Sequence, residues 1–154
     1  MSSPIVRRYK AALTKLGLPP EVSESGDDVA FGFEHEGTRY ALSINLGDPK
    51  FLMLMTIYGL GAEGLDEATA AIRARDVNAV LKGVKVTPVT EDALVLFSVE
   101  QFLENSPPGP EILARAMSVL KLASHEFFKG MSPAAILKVS RRSATLRRRK
   151  PRKD

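Results

Sequence analysis

Residues 59–64 have the spacing of a phosphate-binding glycine loop. They form a GxGxxG run after an apolar segment and before a helical one, which is where such a loop holds the pyrophosphate of a dinucleotide. Three carboxylates, Glu63, Asp66 and Glu67, stand where the pyrophosphate would lie and would repel it. The helix is expected to begin at Asp66, after the third glycine, whereas the motif needs that glycine inside the helix. We therefore interpret the run as a connecting loop and predict no cofactor.

Few other side chains offer chemistry. Glu34, His35 and Glu36 are consecutive at a predicted hairpin turn, so their side chains point in different directions and do not converge on a metal ion. His125 falls off the apolar stripe of a predicted helix and is expected to be exposed. The chain has no cysteine and no nucleophile motif of the GxSxG type. The sequence predicts no catalytic residue and no metal site, and we expect a protein that is not an enzyme.

The C-terminal segment carries the positive charge of the chain. Residues 138–154 contain nine Lys or Arg and one acid, whereas residues 1–137 contain 13 basic and 17 acidic residues. Such asymmetry indicates an interaction tail. The tail has no aromatic residue to stack on bases, so we expect a disordered segment that contacts nucleic-acid phosphates non-specifically, contacts an acidic partner, or only aids solubility. The predicted contact residues are Arg141, Arg142, Arg147, Arg148, Arg149, Lys150, Arg152 and Lys153.

Residues 1–137 are predicted to form a single α+β domain. The apolar spacing gives the order α-β-β-β-α-β-β-α, in which the strands pair mainly antiparallel and the helices pack against the sheet. Two hairpins are expected, with turns at 35–37 and 90–92, and Pro88 indicates that one strand of the second hairpin lies at a sheet edge. A short helical piece is expected at 132–139.

The middle helix is predicted at 65–82, with Asp66 as its N-cap. Asp76 falls on the same face as the apolar stripe, and a break of the helix near Arg75 would resolve this conflict. The stripe expected to face the core consists of Leu65, Ala68, Ile72, Ala79 and Val80.

Residues 51–58 are apolar at nearly every position, which predicts a strand covered on both faces. One layer of helices covers one face of a sheet, so the second face is expected to need more helix or another subunit. Because methionine suits surfaces that accept varied shapes, we predict a partner surface here, with filling of the monomer core or a dimer interface as alternatives. The residues of this predicted surface are Phe51, Met53, Met55, Tyr58 and Phe97.

The stretch 51–99 also carries a family resemblance. An apolar strand is followed by a helix containing the run 76–83, and the segment Val84-Lys85-Val86 then enters the second hairpin. This pattern, together with the element order over about residues 5–130, resembles the type III secretion chaperone-like fold and, within it, the YbjN family. A second asparagine expected a few positions after Asn78 is replaced by other residues. The resemblance implies a homodimer that binds segments of other proteins and has no chemistry of its own.

The sequence therefore predicts a chaperone-like or adaptor protein that dimerises and grips a partner protein, with a basic tail that adds attraction to nucleic acid or to an acidic partner. The alternative is a nucleic-acid-associated protein in which the tail is the principal site. The N-terminus does not read as a signal peptide and no long apolar run is found, so we expect a cytoplasmic protein without membrane contact.

Overall fold

The computed structural model describes residues 2–60, 65–131 and 136–138. They form three helices and seven strands. The helices are α1 (Pro4–Lys15), α2 (Glu67–Val80) and α3 (Pro110–Phe127), and a 3-10 turn lies at Thr90–Asp92. The strands are β1 (Glu21–Ser25), β2 (Asp28–His35), β3 (Thr38–Asn45), β4 (Asp48–Leu60), β5 (Lys85–Val89), β6 (Leu94–Phe102) and β7 (Ile136–Lys138).

All strands join one antiparallel sheet in the order β1-β2-β3-β4-β6-β5, and β7 pairs with the end of β4. The predicted α+β class, the two hairpins and the edge position of Pro88 are confirmed. The strand β1 was missed, because its acidic sequence reads as a turn. Glu36 and Gly37 make the first hairpin turn with positive φ angles of 49° and 74°, which matches the twist of the flanking strands.

The prediction of a helical piece at 132–139 is wrong at 136–138, which form β7. The reason lies in an incomplete edge of β4. The pairing of β3 with β4 ends at Ala41 and Met55. Leu60 donates its backbone N–H to the Ala93 carbonyl, 2.7 Å away on the β6 side, so the backbone groups of the buried Gly59 face the opposite edge. There Gly59 pairs with Leu137, and β7 supplies the partners that buried peptide groups need.

The register divides the side chains between two faces of the sheet. Residues opposite each other on antiparallel strands point to the same face. One row of such partners is Phe31, Leu42, Leu54 and Val99, all buried. The neighbouring row, on the other face, is Gly32, Ala41, Met55 and Ser98. We call the face with Leu54 the covered face and the face with Met55 the open face.

All three helices pack on the covered face. In α1 the Tyr9 ring stacks on Phe31 at 5.4 Å, and in α3 the Phe127 ring meets Phe97 edge-on at 5.6 Å. The Tyr9 hydroxyl also donates to the Pro49 carbonyl at 2.8 Å, which fixes α1 to the start of β4. The core is therefore a single layer between the sheet and the helices.

The stripe predicted to bury α2 faces the wrong way. The buried residues of α2 are Ala70, Ala74 and Val77, whereas Ile72 is 51% exposed and Val80 78% exposed. Small side chains bring this helix close to the sheet, and its larger apolar residues point outward. The helix is continuous, since Asp76 belongs to the exposed face and creates no conflict. The predicted N-cap is confirmed, because Asp66 accepts a hydrogen bond from the Thr69 N–H at 2.7 Å.

Asn78 on α2 closes one edge of the sheet. Its side-chain amide donates to the Val86 carbonyl at 3.0 Å, and its side-chain oxygen accepts the Val86 N–H at 2.8 Å. Val86 lies on the edge strand β5, and Pro88 on the same strand has no N–H. The outward backbone groups of β5 are thus largely occupied, as sheet edges require to avoid uncontrolled strand pairing.

Candidate partner-binding surface

An apolar strip lies along β4 and β6 on the open face. The strands position these side chains by simple alternation, since every second residue of β4 and β6 points to this face. In the described part of the chain, no helix packs on the strip, and its side chains do not belong to the core. Its residues are Phe51, Met53, Met55 and Ile57 on β4 and Leu94, Leu96 and Phe102 on β6. Between Leu96 and Phe102, β6 places Ser98 and the exposed Glu100 on the same face, opposite Met55 and Met53.

The strip is long and narrow. From Phe51 to Ile57 it extends about 20 Å along β4, and it is two strands, or roughly 10 Å, wide only at its ends, because Ser98 and Glu100 lie beside the methionines on β6. At one end the rings of Phe51 and Phe102 meet at 4.9 Å, and Phe102 is 78% exposed. The strip therefore presents flexible methionines in its middle and an aromatic pair at its end.

Small and polar groups border the strip. On the β3 side lie Ala41 and Ser43, opposite Met55 and Met53. Beyond them, the Arg39 guanidinium crosses Gly32 to reach Glu21 on β1, with an N–O distance of 2.8 Å. Gly32 permits this crossing, because a Cβ there would lie 3.0 Å from the Arg39 guanidinium nitrogen. An apolar centre with a polar rim is the usual composition of a protein-binding surface.

The structure divides the partner surface predicted from the sequence. Phe51, Met53 and Met55 lie together on the open face. Tyr58 and Phe97 lie on the covered face, where their rings meet at 5.7 Å and both contact Phe128. Phe97 is fully buried. Both pack against the C-terminal end of α3, and neither belongs to the apolar strip, although Tyr58 is only partly buried.

Sequence reasoning missed four members of the strip, namely Ile57, Leu94, Leu96 and Phe102. The signal was present, because β6 pairs with β4 and its alternate residues must share the face of Met55. Using that signal requires the β4–β6 register, in which Ile57 faces Leu96 and Phe51 faces Phe102. The β6 sequence, apolar at each position from Leu94 to Phe97, does not show which alternate set faces the helices.

The other features considered for chemistry are the turn at 34–36, the glycine run and the basic tail. Glu36 contacts His35 at 3.9 Å and Lys121 at 3.1 Å in an exposed hairpin turn. Among the described residues there is no group of three acidic or histidine side chains that could hold a metal ion, and no helix long and apolar enough to cross a membrane. Residues 61–64 of the glycine run and 139–154 of the basic tail lie outside the described residues.

Shifted ionisable groups of the described chain have structural causes. Burial raises the pKa of Tyr9 to about 12, and burial also raises the pKa of Tyr40. The hydrogen bond and charge of Lys121 lower the pKa of Glu36 below its usual value. The two tyrosines belong to the core and Glu36 to a turn, so none of these shifts concerns the apolar strip.

The comparisons with known proteins concern the fold. No protein-family model and no curated protein matches the chain. The structure of an uncharacterized protein from Methanothermobacter thermautotrophicus is similar, with a TM-score of 0.61 and 12% identity, over 80% of this chain and 94% of that one. A chain of the HopA1–SchA chaperone–effector complex is also similar, with a TM-score of 0.51 and 14% identity, over 80% and 93% of the two chains. The chain thus shares its fold with a chain of a chaperone–effector complex, while its resemblance to the YbjN family stays a prediction.

Proposed function

We propose that the protein is a chaperone-like binding protein, without catalytic activity, that holds an apolar segment of a partner protein on its open face. The observation that carries the proposal is the apolar strip around Met53 and Met55, which the described helices leave uncovered. The fold shared with a chain of a chaperone–effector complex supports the same class of function, by analogy.

The size of the strip favours a segment as its occupant. A strip of roughly 20 Å in length and at most about 10 Å in width has an apolar footprint of no more than about 200 Å², whereas a stable subunit interface buries about 800 Å² on each partner. An extended or helical segment with a few apolar side chains fits that footprint. Methionine side chains adapt their rotamers at low cost, so the surface accepts segments of different shape.

The proposal includes a homodimer, whose interface must lie on a surface other than the open face. The outer face of α2 provides one, since Ile72 and Val80 are the exposed apolar side chains there and Ala68 and Ala79 allow close approach. A helix pair across this face would leave both open faces free for partner segments. The exposed Arg75–Asp76 ion pair, 2.9 Å long, lies on the same face and would set the register.

The basic tail adds electrostatic attachment in this proposal, to nucleic acid or to an acidic partner protein, and we place the protein in the cytoplasm. Its cations, Arg141 to Lys153, follow β7 directly along the chain. The support is their density and the absence of aromatic residues among them, which favours contact with phosphates or carboxylates over recognition of bases.

The test is a selection of random displayed peptides on the full chain. We expect apolar sequences to be enriched, and their affinity for Met55→Lys to fall about tenfold or more, because an ammonium group would be buried against apolar side chains. The matched control is Ala114→Lys on the exposed side of α3, which should bind as the unmodified protein does. Equal binding to both variants would show that the peptides do not use the open face.

A further inference from the structure

Helix α1 carries a concentration of unpaired cations. Arg7, Arg8, Lys10 and Lys15 are all exposed, and the helix contains no acidic residue. Apart from α1, residues 1–137 contain nine basic and 17 acidic residues, so α1 is a basic helix in an otherwise acidic part of the chain. The chain's basic character is therefore not confined to its C-terminal segment.

Three of the nine Lys and Arg side chains that lie outside α1 in residues 1–137 form an ion pair among the described residues. Arg39, Arg75 and Lys121 each pair with a carboxylate within 4.0 Å. No cation of α1 has such a partner among the described residues, and Arg7 donates to the Ser2 carbonyl at 3.1 Å. Their charge is thus available to a ligand, and desolvating them would break no internal ion pair.

The buried side of α1 restricts what that ligand can be. Val6, Tyr9 and Leu13 are 2% exposed or less and pack into the core. An amphipathic helix binds a membrane surface by inserting its apolar face, and here that face is already occupied. The helix can offer only its charged side, which suits a polyanion that presents regularly spaced charges.

We propose that the outer face of α1 binds the phosphate backbone of nucleic acid, as a second contact surface besides the C-terminal tail. From Arg7 to Lys15 the cations extend about 12 Å along the helix axis, a distance that covers several phosphates of a duplex. Contacts of this type are independent of base sequence and release counterions. The inference does not depend on partner binding at the open face, which lies on the other side of the sheet.

The experiment measures binding of the full chain to a mixed-sequence DNA duplex at several salt concentrations. The variant carries Arg8→Gln, Lys10→Gln and Lys15→Gln, which leaves the Arg7 contact with Ser2 in place. The slope of log Kobs against log salt should become less steep by about 2 to 3, close to one unit per lost phosphate contact. Circular dichroism verifies that the triple variant is folded. If the triple variant does not fold, the single variant Arg8→Gln takes its place, and its slope should change by about 1.

The matched control carries Lys82→Gln, Arg115→Gln and Lys129→Gln. These three cations are exposed and lie outside α1, so both triple variants lose the same net charge. An unchanged slope for the α1 variant, or an equal change for the control, overturns the proposal. Vesicles containing phosphatidylserine form a second arm. Loss of vesicle binding in the α1 variant, with DNA binding unaltered, assigns the face to a membrane and also overturns it.

Discussion

The two faces of β4 predict opposite responses to the same truncation. Leu54 and Met55 are adjacent, and alanine removes the same number of side-chain heavy atoms from each. Leu54 is 1% exposed beneath the helices, so Leu54→Ala leaves a cavity and should lower the free energy of unfolding by about 3 kcal/mol, within the usual range of 2–5 kcal/mol. Met55 is partly exposed on the open face, where neighbouring side chains and water can relax, and Met55→Ala should cost about 1 kcal/mol or less.

Urea denaturation of the two variants measures both values, and their m-values should match that of the unmodified chain. A loss for Met55→Ala as large as that for Leu54→Ala would refute the reasoning, because Met55 would then be covered. The protein concentration distinguishes the two possible covers. If a second subunit covers the open face, the loss of unfolding free energy caused by Met55→Ala should rise with protein concentration. If another part of the same chain covers it, that loss should not depend on concentration.

Three further outcomes are expected. Asn78→Ala leaves the Val86 N–H and carbonyl without their partner and should lower the free energy of unfolding by about 2 kcal/mol in urea titrations. Asn78→Asp keeps the acceptor and should lower it less. An unchanged free energy of unfolding for Asn78→Ala would exclude this edge contact. Light scattering should give twice 16.8 kDa for the unmodified chain and 16.8 kDa for Ile72→Glu; a monomeric unmodified chain would contradict the proposed dimer. The Thr69 N–H holds the pKa of Asp66 below its usual value. The unmodified chain should therefore be more stable than Asp66→Ala above about pH 4, and this difference should disappear as the pH falls through the lowered pKa. A difference in stability that does not depend on pH would exclude the charged cap.

Local signals in the sequence predicted much of the fold. The hairpin turns are predicted by glycine and polar residues at 36–37 and 90–92, and Pro88 indicates an edge strand because it has no N–H to donate. These features are local, so neighbouring residues determine them. The N-cap at Asp66 is equally local, since its hydrogen-bond partner is three residues away.

The errors concern choices that only tertiary packing makes. Both faces of α2 carry apolar residues, and the alanine side was buried because it allows the helix to approach the sheet. The strand β7 exists because the edge of β4 near Gly59 lacks β3 as a neighbour, which no feature within 132–139 indicates. In both cases the deciding partner is distant in sequence.

The candidate surface could be predicted only in part, because the pairing of β4 with β6 also joins residues that are distant in sequence. Alternation along β4 correctly places Met53 and Met55 on one face, and by the same rule Tyr58 belongs to the opposite face. Phe97 requires the β4–β6 register, in which it lies opposite Thr56 on the covered face. The apolar character of 51–58 led to the expectation of two covered faces, whereas the described helices cover one.

A photo-crosslinking amino acid at position 55, compared with the same group at position 114 on α3, tests the central claim most directly. After irradiation in native extract, peptide mapping identifies what is attached to each position. The account predicts a discrete apolar segment of another protein at position 55 and no such segment at position 114. Attachment at position 55 of a second copy of this chain, or of its own residues 139–154, would contradict it.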